Sequence, residues 1–562
     1  HPSSRSIFVL RRYDAYIRVK ALARMKNFLA WSTMVVLAAC QSAPLTPAVS
    51  PLSLVPQPLL MEVEEGQPAA ILDGPVHFRN IETADFASTE AWPQAQDGFP
   101  IVFRGGFFPE DFHGGLGAEG AYSLDVYADS IVVRSESDAG RHNALATLMQ
   151  LVPVEHWPAA KGEQIKLGFD MAPVHIEDQP RYAYRGMHLD VCRHFMPVEF
   201  IEKYIDNLAL HKFNRFHWHL TEDQGWRIEI KKYPKLTEVG AWRSASQTGA
   251  YSEQRFDSTR HGGFYTQEEA RHIVDYAAKR GITVIPEIEM PGHSLSALAA
   301  YPELSCSGGS LEVAHGWGVF DDVYCSGNPE VYTFLEGVLD EIMDIFPSPL
   351  IHIGGDECPK TRWETCSKCQ LEMERNQLKN EHELQSHFIT RMERYLNAHS
   401  RNIIGWDEIL EGGLAPNAAV MSWRGVTGGI QAASMEHNVV MTPGKPLYFD
   451  HFQFNPDEEP VAIGGFNSLM DVYAFNPVAG VPAEYHRYIL GAQANVWTEY
   501  METSDHVEHM VQPRASALSE VLWLGGKRPG EDAAFRQAMD YHIQRLQAMG
   551  WKYAPYEFKK IA

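Results

Sequence analysis

Basic residues are scarce in this sequence. Of 562 residues, 48 are Lys or Arg against 72 Asp or Glu, a formal net charge of −24. No basic surface is left over to neutralise a phosphate backbone, which argues against nucleic acid as a partner and favours an uncharged or cationic small ligand. Long apolar runs are lacking too: the run from Phe28 to Ala39 falls short of the roughly 20 residues a membrane span requires. Cysteine is sparse, at seven residues. What is plentiful is apolar content, 45% of the chain, enough for a large core and for two or more domains.

The first methionine is Met25. The stretch after it, "KNFLAWSTMVVLAACQS", has a short basic start, an apolar run and then Cys40, the pattern of a secretory signal. "LAAC" at 37–40 resembles a bacterial lipobox, so the expectation is an exported protein anchored through a lipid on Cys40, facing the periplasm or the cell surface. Residues 1–24 would lie upstream of that signal. Residues 1–40 carry seven Lys/Arg and one Asp, so their removal leaves about −30. Residues 41–60, rich in Pro, Ser, Ala and Leu, read as a tether.

Export makes disulfides permissible. Cys306 and Cys325 bracket one Gly-rich loop and are expected to pair. Cys366-Ser-Lys-Cys369, with Cys358 eight residues earlier, reads first as a local disulfide or free thiols, and second as part of a zinc site whose fourth ligand is missing. No metal and no cofactor are assigned to the functional site.

Residues 61–177 show alternating strands ("AYSLDVYADSIVVRSES") and one amphipathic helix ("AGRHNALATLMQLV"), a small α+β domain. From 178 to 562 apolar strand-like runs alternate with helices. Eight runs are found: 184–190, 214–220, 282–289, 350–355, 402–408, 418–423, 438–443 and 489–497. The pattern predicts an α/β fold, a (β/α)8 TIM barrel with a C-terminal helix, preceded by the small α+β domain. Between the second and third runs, Thr266 with Glu269 three residues on predicts a capped helix start.

In such a barrel, chemistry collects at the C-terminal strand ends. Those ends here carry Asp190 and Arg193; His219, Glu222 and Asp223; Glu289 and His293; Asp356 and Glu357; then Trp406, Trp423, Tyr448 with Asp450, and Trp497 with Glu499. Acids with aromatic walls describe a sugar site, indole faces stacking on pyranose rings while carboxylates and an Arg bond hydroxyls. Each Trp taken alone, among 13, reads as packing; their positions beside acids raise them together. His217-Trp218-His219 with Glu222 and Asp223 also admits a metal-dependent hydrolase. Neighbouring acids such as Asp356 and Glu357 on a strand would point to opposite faces.

The stretches "YRGMHLDVCRHF", "FNRFHWHLTEDQGWRIEI", "PEIEMPGH", "HIGGDE", "GWDE", "SWRG", "PLYFD" and "NVWTE", in this order over residues 60–525, resemble glycoside hydrolase family 20, the β-N-acetylhexosaminidases. The resemblance implies an exo-acting retaining enzyme that releases terminal β-linked GlcNAc or GalNAc. In that family the substrate's own 2-acetamido oxygen attacks C1, giving an oxazolinium intermediate. It implies Glu357 as general acid and then base, with a pKa high enough to hold a proton, and Asp356 as the group that accepts the acetamido N–H and stabilises the developing charge. Tyr448 would donate to the acetamido oxygen; Trp406, Trp423 and Trp497 would wall the sugar; Arg193, Asp450 and Glu499 would bind O3, O4 and O6. His293 and Glu222 match a pair supporting the acid, although many relatives carry Asp where Glu222 and Glu289 stand here. Arg185 reads as structural. Release of a disaccharide, and a non-catalytic glycan-binding lipoprotein on the same barrel, are the alternatives. Loops 243–263 and 306–328, which would decide the first of these, have no readable pattern.

Overall fold

A computed structural model describes residues 53–105, 118–525 and 532–556. The expected signal, Cys40 and most of the tether lie outside them. Residues 53–59, expected to be tether, are packed instead. Leu54 is buried in the core of the small domain and Val55 in that of the barrel, and the Val55 backbone exchanges two hydrogen bonds with the Gln150 side chain (2.9 and 2.7 Å). Two adjacent apolar side chains bridging two cores override the loop-like composition around them.

The N-terminal region is a six-stranded mixed sheet. Its strands, in spatial order, are Leu60–Val63, Val174–Asp178, Tyr122–Tyr127, Ser130–Arg134, Phe99–Arg104 and Val76–Arg79. The helix Asp138–Leu151, started by Ser137 accepting from the Gly140 N–H, packs on it. The sheet is joined to the barrel through buried polar contacts. Lys212 Nζ lies 2.9 Å from Asp178 Oδ2, and Asp178 also accepts from Tyr122 (2.7 Å) and from the Trp523 indole (2.7 Å).

Eight parallel strands close into a barrel in chain order: Tyr184–Asp190, Arg215–His219, Thr283–Glu287, Leu350–His352, Asn402–Trp406, Ala419–Ser422, Val439–Met441 and Ile489–Ala494, the last pairing with the first. All eight expected runs are strands. Each strand has two buried faces, and alternation sorts them. Phe216 and Trp218 point outward into the large core under the helices, while His217 and His219 point inward. Helix Gln267–Ala278 begins with the predicted box of Thr266 and Glu269.

The barrel interior has an apolar layer that includes Ile285, Ile404, Met421 and Val440. Toward the C-terminal strand ends it also holds a buried polar array. Glu287 lies 2.9 Å from His217 Nε2, 2.5 Å from His219 Nδ1 and 2.8 Å from His352 Nδ1, and accepts from the Trp406 indole at 2.8 Å. Strand register sets Asp190, His219, Glu287 and His352 at one level. The sequence also admits His217 and His219 as ligands of a metal-dependent hydrolase; here Glu287 lies against both, the Gln493 amide is 2.9 Å from His217 Nδ1, and Glu222 is 3.2 Å from His219 Nε2.

Candidate active site

The fourth strand stops at His352, earlier than expected, because two glycines follow in the left-handed region (φ 65° and 92°). A Cβ on Gly354 would stand 1.6 Å from Glu289 Oε2, so only glycine lets the chain pass there. Glu357 itself has φ 42°, a conformation that costs a non-glycine residue of order 1–3 kcal/mol and is typical of functional turns. His293, in the turn after the third strand, shares it at φ 44°.

This geometry corrects one expectation. Asp356 and Glu357 occupy a turn rather than a strand, so strand alternation does not apply and they do not face apart. His293 Nε2 lies 3.7 Å from Asp356 Oδ2 and 3.5 Å from Glu357 Oε2. The residues differ in setting: Asp356 is 9% exposed, whereas the Glu357 side chain is 42% exposed.

Behind His293 stands a chain of charges. Its Nδ1 is 2.8 Å from Glu222 Oε1 and 3.0 Å from Asp223 Oδ2, both acids presented by the hairpin after the second strand. Glu222 in turn meets Arg193 Nη2 (3.0 Å) and His219 Nε2 (3.2 Å). Asp223 is therefore a second partner of His293 that the resemblance did not supply, although its place at a strand end marked it as a candidate.

Burial opposes charge on His293, but Glu222, Asp223 and Glu357 outweigh it and hold the imidazole protonated well above its usual range. Hydrogen bonding to that imidazolium holds Glu357 below the ordinary glutamate range. Burial pushes Asp356 up to about 7, with Glu287, Glu357 and Glu222 adding to it and His293 opposing. In the unliganded protein the two acids are thus ordered oppositely to the expectation of a high Glu357. The cause is local: Glu357 has solvent and a cation, Asp356 has neither solvent nor a full set of donors. Burial and the charge of Asp356 also raise Glu408 to about 8, a residue read from sequence only as an acid near Trp406, whose Oε2 accepts from the Trp423 indole (2.8 Å).

The aromatic residues form a continuous wall. Trp423 stacks on Tyr448 (centroids 6.1 Å, 24°), Tyr448 meets Trp497 at 6.4 Å, and Trp497 meets Trp406 at 5.8 Å. Trp406, 1% exposed, is the floor rather than the face of this wall. Arg193 is held over the Trp497 ring (5.1 Å) by Asp190 (3.3 Å), Glu222 and Gln224 (2.9 Å), with Glu499 at 3.6 Å. Asp450 is buried and raised well above its usual range by burial and then by Glu499. Asp356 Oδ1, Asp450 Oδ1 and Glu499 Oε2 are buried without a protein hydrogen-bond partner, acceptors suited to the N–H and O–H groups of a ligand. Arg185, by contrast, donates to the backbone carbonyls of Lys212 (2.8 Å) and Tyr182 (2.9 Å) and is structural.

Acids, an imidazolium relay and an indole wall at the carboxyl end of a closed parallel barrel place the protein among the barrel-fold glycoside hydrolases. Comparison with known proteins narrows that class. The model of glycosyl hydrolase family 20, catalytic domain, matches residues 182–525, and the chain belongs to this family. It is 50% identical over 437 residues to a beta-hexosaminidase of Porphyromonas gingivalis, covering 77% of this chain and 54% of that protein. It is 38% identical over 406 residues to a beta-hexosaminidase of Vibrio furnissii, covering 71% and 65%. The chain thus spans about half to two thirds of the length of these relatives. The crystal structure of a family 20 exo beta-N-acetylglucosaminidase from Vibrio harveyi, in complex with N-acetylglucosamine, superposes with a TM-score of 0.75 at 30% identity, covering 93% of this chain and 81% of that one.

Proposed function

We propose that the protein is an exo-acting retaining β-N-acetylhexosaminidase that removes terminal β-linked GlcNAc or GalNAc by substrate-assisted catalysis. The observation that carries this is the shared turn of Asp356 and Glu357. A retaining enzyme with its own nucleophile needs two carboxyls about 5–5.5 Å apart across the scissile bond. Here the second acid sits beside the first, buried with one oxygen unpartnered, a position suited to an amide N–H. Membership of family 20 and the similarity to the Vibrio harveyi enzyme that binds N-acetylglucosamine support the same substrate class.

The steps follow from the residues. A pyranose stacked on Trp497 covers the exposed face of Glu357, and loss of solvent favours its protonated form. The acetamido N–H donates to Asp356, which favours its charged form, so substrate binding reverses the order seen in the unliganded protein. The acetamido carbonyl oxygen attacks C1, the bond from C1 to the leaving oxygen breaks, and Glu357 gives that oxygen its proton. Asp356 opposes the positive charge of the oxazolinium, and the indole wall keeps competing water away. Glu357, now a carboxylate, takes a proton from the water that attacks C1, the bond from C1 to the acetamido oxygen breaks, and the sugar leaves with its β configuration and its acetamide restored. Arg193, Asp450 and Glu499 bind the ring hydroxyls in this reading, and the lipid on Cys40 would hold the enzyme at a membrane.

Hydrolysis of an aryl β-N-acetylglucosaminide beside the plain β-glucoside tests the mechanism. Cleavage of only the acetamido sugar is expected; comparable rates on both rule out an internal nucleophile.

A further inference from the structure

Four cysteines far apart in the chain converge beside the site. Cys306 and Cys325 stand near the two ends of the loop that joins helix Leu295–Ala300 to helix Pro329–Ile345. Cys366 and Cys369 lie at the start of helix Ser367–Asn376, just beyond the Asp356–Glu357 turn. The described cysteines are all free thiols, so the expected pairing of Cys306 with Cys325 is not formed. Cys358, the third member of the zinc reading made from sequence, is not in the group; its Sγ faces the Pro359 carbonyl.

The distances point to a shared centre rather than to pairs. Cys306 and Cys369 sulfurs are 3.8 Å apart, Cys325 and Cys366 3.7 Å, and Cys325 and Cys369 3.7 Å, with all four within 4.8 Å of one another. Four sulfurs about 2.3 Å from a tetrahedral zinc would stand about 3.8 Å from each other. A disulfide brings two sulfurs to about 2.05 Å and gives each one neighbour, whereas Cys325 and Cys369 each have two at near-equal range. The two segments are also locked around the cluster. A Cβ on Gly327 would lie 2.1 Å from the Lys368 carbonyl carbon, and the Trp363 indole donates to the Tyr324 carbonyl (2.9 Å).

We infer that Cys306, Cys325, Cys366 and Cys369 bind a structural zinc ion that ties the loop after the third barrel strand to the segment following the acid pair. The site has a closed four-sulfur shell, so the metal takes no part in the reaction. Its binding releases the thiol protons, and its effect is to fix loop 306–328, whose Gly316 carbonyl accepts from Gln224 (2.9 Å), relative to the turn that carries Glu357.

The test uses the full chain purified without added metal. Elemental analysis is expected to give about one zinc per chain, released by a mercurial reagent in step with four thiols. Exchange with cobalt is expected to give the intense visible bands of a tetrahedral tetrathiolate. Alkylation of the denatured protein with mass spectrometry reads the alternative: four cysteines recovered as two disulfides, or as free thiols in metal-poor protein, overturn the inference, as does iron in place of zinc. Cys366→Ser, at a half-buried position, should lower zinc content at least tenfold; full retention of zinc in that variant refutes the ligand set. Metal content is read without any activity, so failure here leaves the proposed reaction standing, and the reverse.

Discussion

Replacing His293 by Gln removes the cation that both acids face while keeping a donor for Glu222. At 3.5 Å, opposite unit charges attract by about 1.2 kcal/mol in water and by about 5 kcal/mol at an effective dielectric near 20. The Glu357 side chain is 42% exposed, so screening favours the lower figure, equivalent to about one pH unit at 1.36 kcal/mol per unit. Asp356 is 3.7 Å from the same nitrogen but buried, and its shift should be larger. The reactive form needs Glu357 protonated and Asp356 ionised. In the unliganded protein Glu357 is held low and Asp356 is raised to about 7, so the lower limb of the kcat/KM profile follows Glu357 and the upper limb Asp356. Loss of the imidazolium raises both. The bell should move to higher pH, its lower limb by about one unit and its upper limb by more, measured on an aryl β-N-acetylglucosaminide. A lower limb that stays in place refutes the assignment of Glu357 as the acid held by His293, and a shift to lower pH refutes a cationic His293.

Glu357→Gln should lose about 10² to 10⁴ in kcat/KM on substrates with poor leaving groups and much less with an activated phenolate, so equal losses would exclude proton donation as its role. Asp356→Asn should cost about 10² to 10³ whatever the leaving group; near-native rates would remove its electrostatic role. Gly354→Ala must adopt a left-handed φ of 65° and displace the Glu289 carboxyl, a destabilisation of at least about 1–2 kcal/mol, read as a lower denaturant midpoint; an unchanged midpoint would show that the turn can relax. Lys212→Met leaves Asp178 buried without its cation and should cost about 3–5 kcal/mol, partly recovered in the double variant with Asp178→Asn. Additive losses in that pair would show that the contact is not what ties sheet to barrel.

The barrel was legible because short strand-like runs alternate with helical stretches, and strand ends such as "HIGGDE" and "NVWTE" announce polar chemistry where packing would call for Val or Ile. The polar interior was not. Glu287 sits within a strand run, and nothing local says that three imidazoles from other strands converge on it. The cysteine cluster was hidden for a similar reason. Proximity along the chain favoured pairing Cys306 with Cys325, whereas Cys369, 63 residues from Cys306, becomes its neighbour only when the two loops fold together. The order of the acids' proton affinities also needs structure, since it depends on which carboxyl keeps solvent. Residues 53–59 show the limit of composition: two apolar side chains are enough to pack a segment that otherwise reads as linker.

The turn that carries Asp356 and Glu357 has one further effect. Consecutive Cα atoms stand 3.8 Å apart by covalent geometry, so the backbones of the two acids move as one. That unit is clamped from behind: the Gly355 carbonyl accepts from Gln385 (2.8 Å) and the Gly354 carbonyl from the Trp406 amide (2.9 Å). In an enzyme with carboxyls on separate strands, breathing of the barrel changes the distance between them. Here movement of the shared turn carries both backbones together, and only side-chain rotation resets the distance between the two carboxyls.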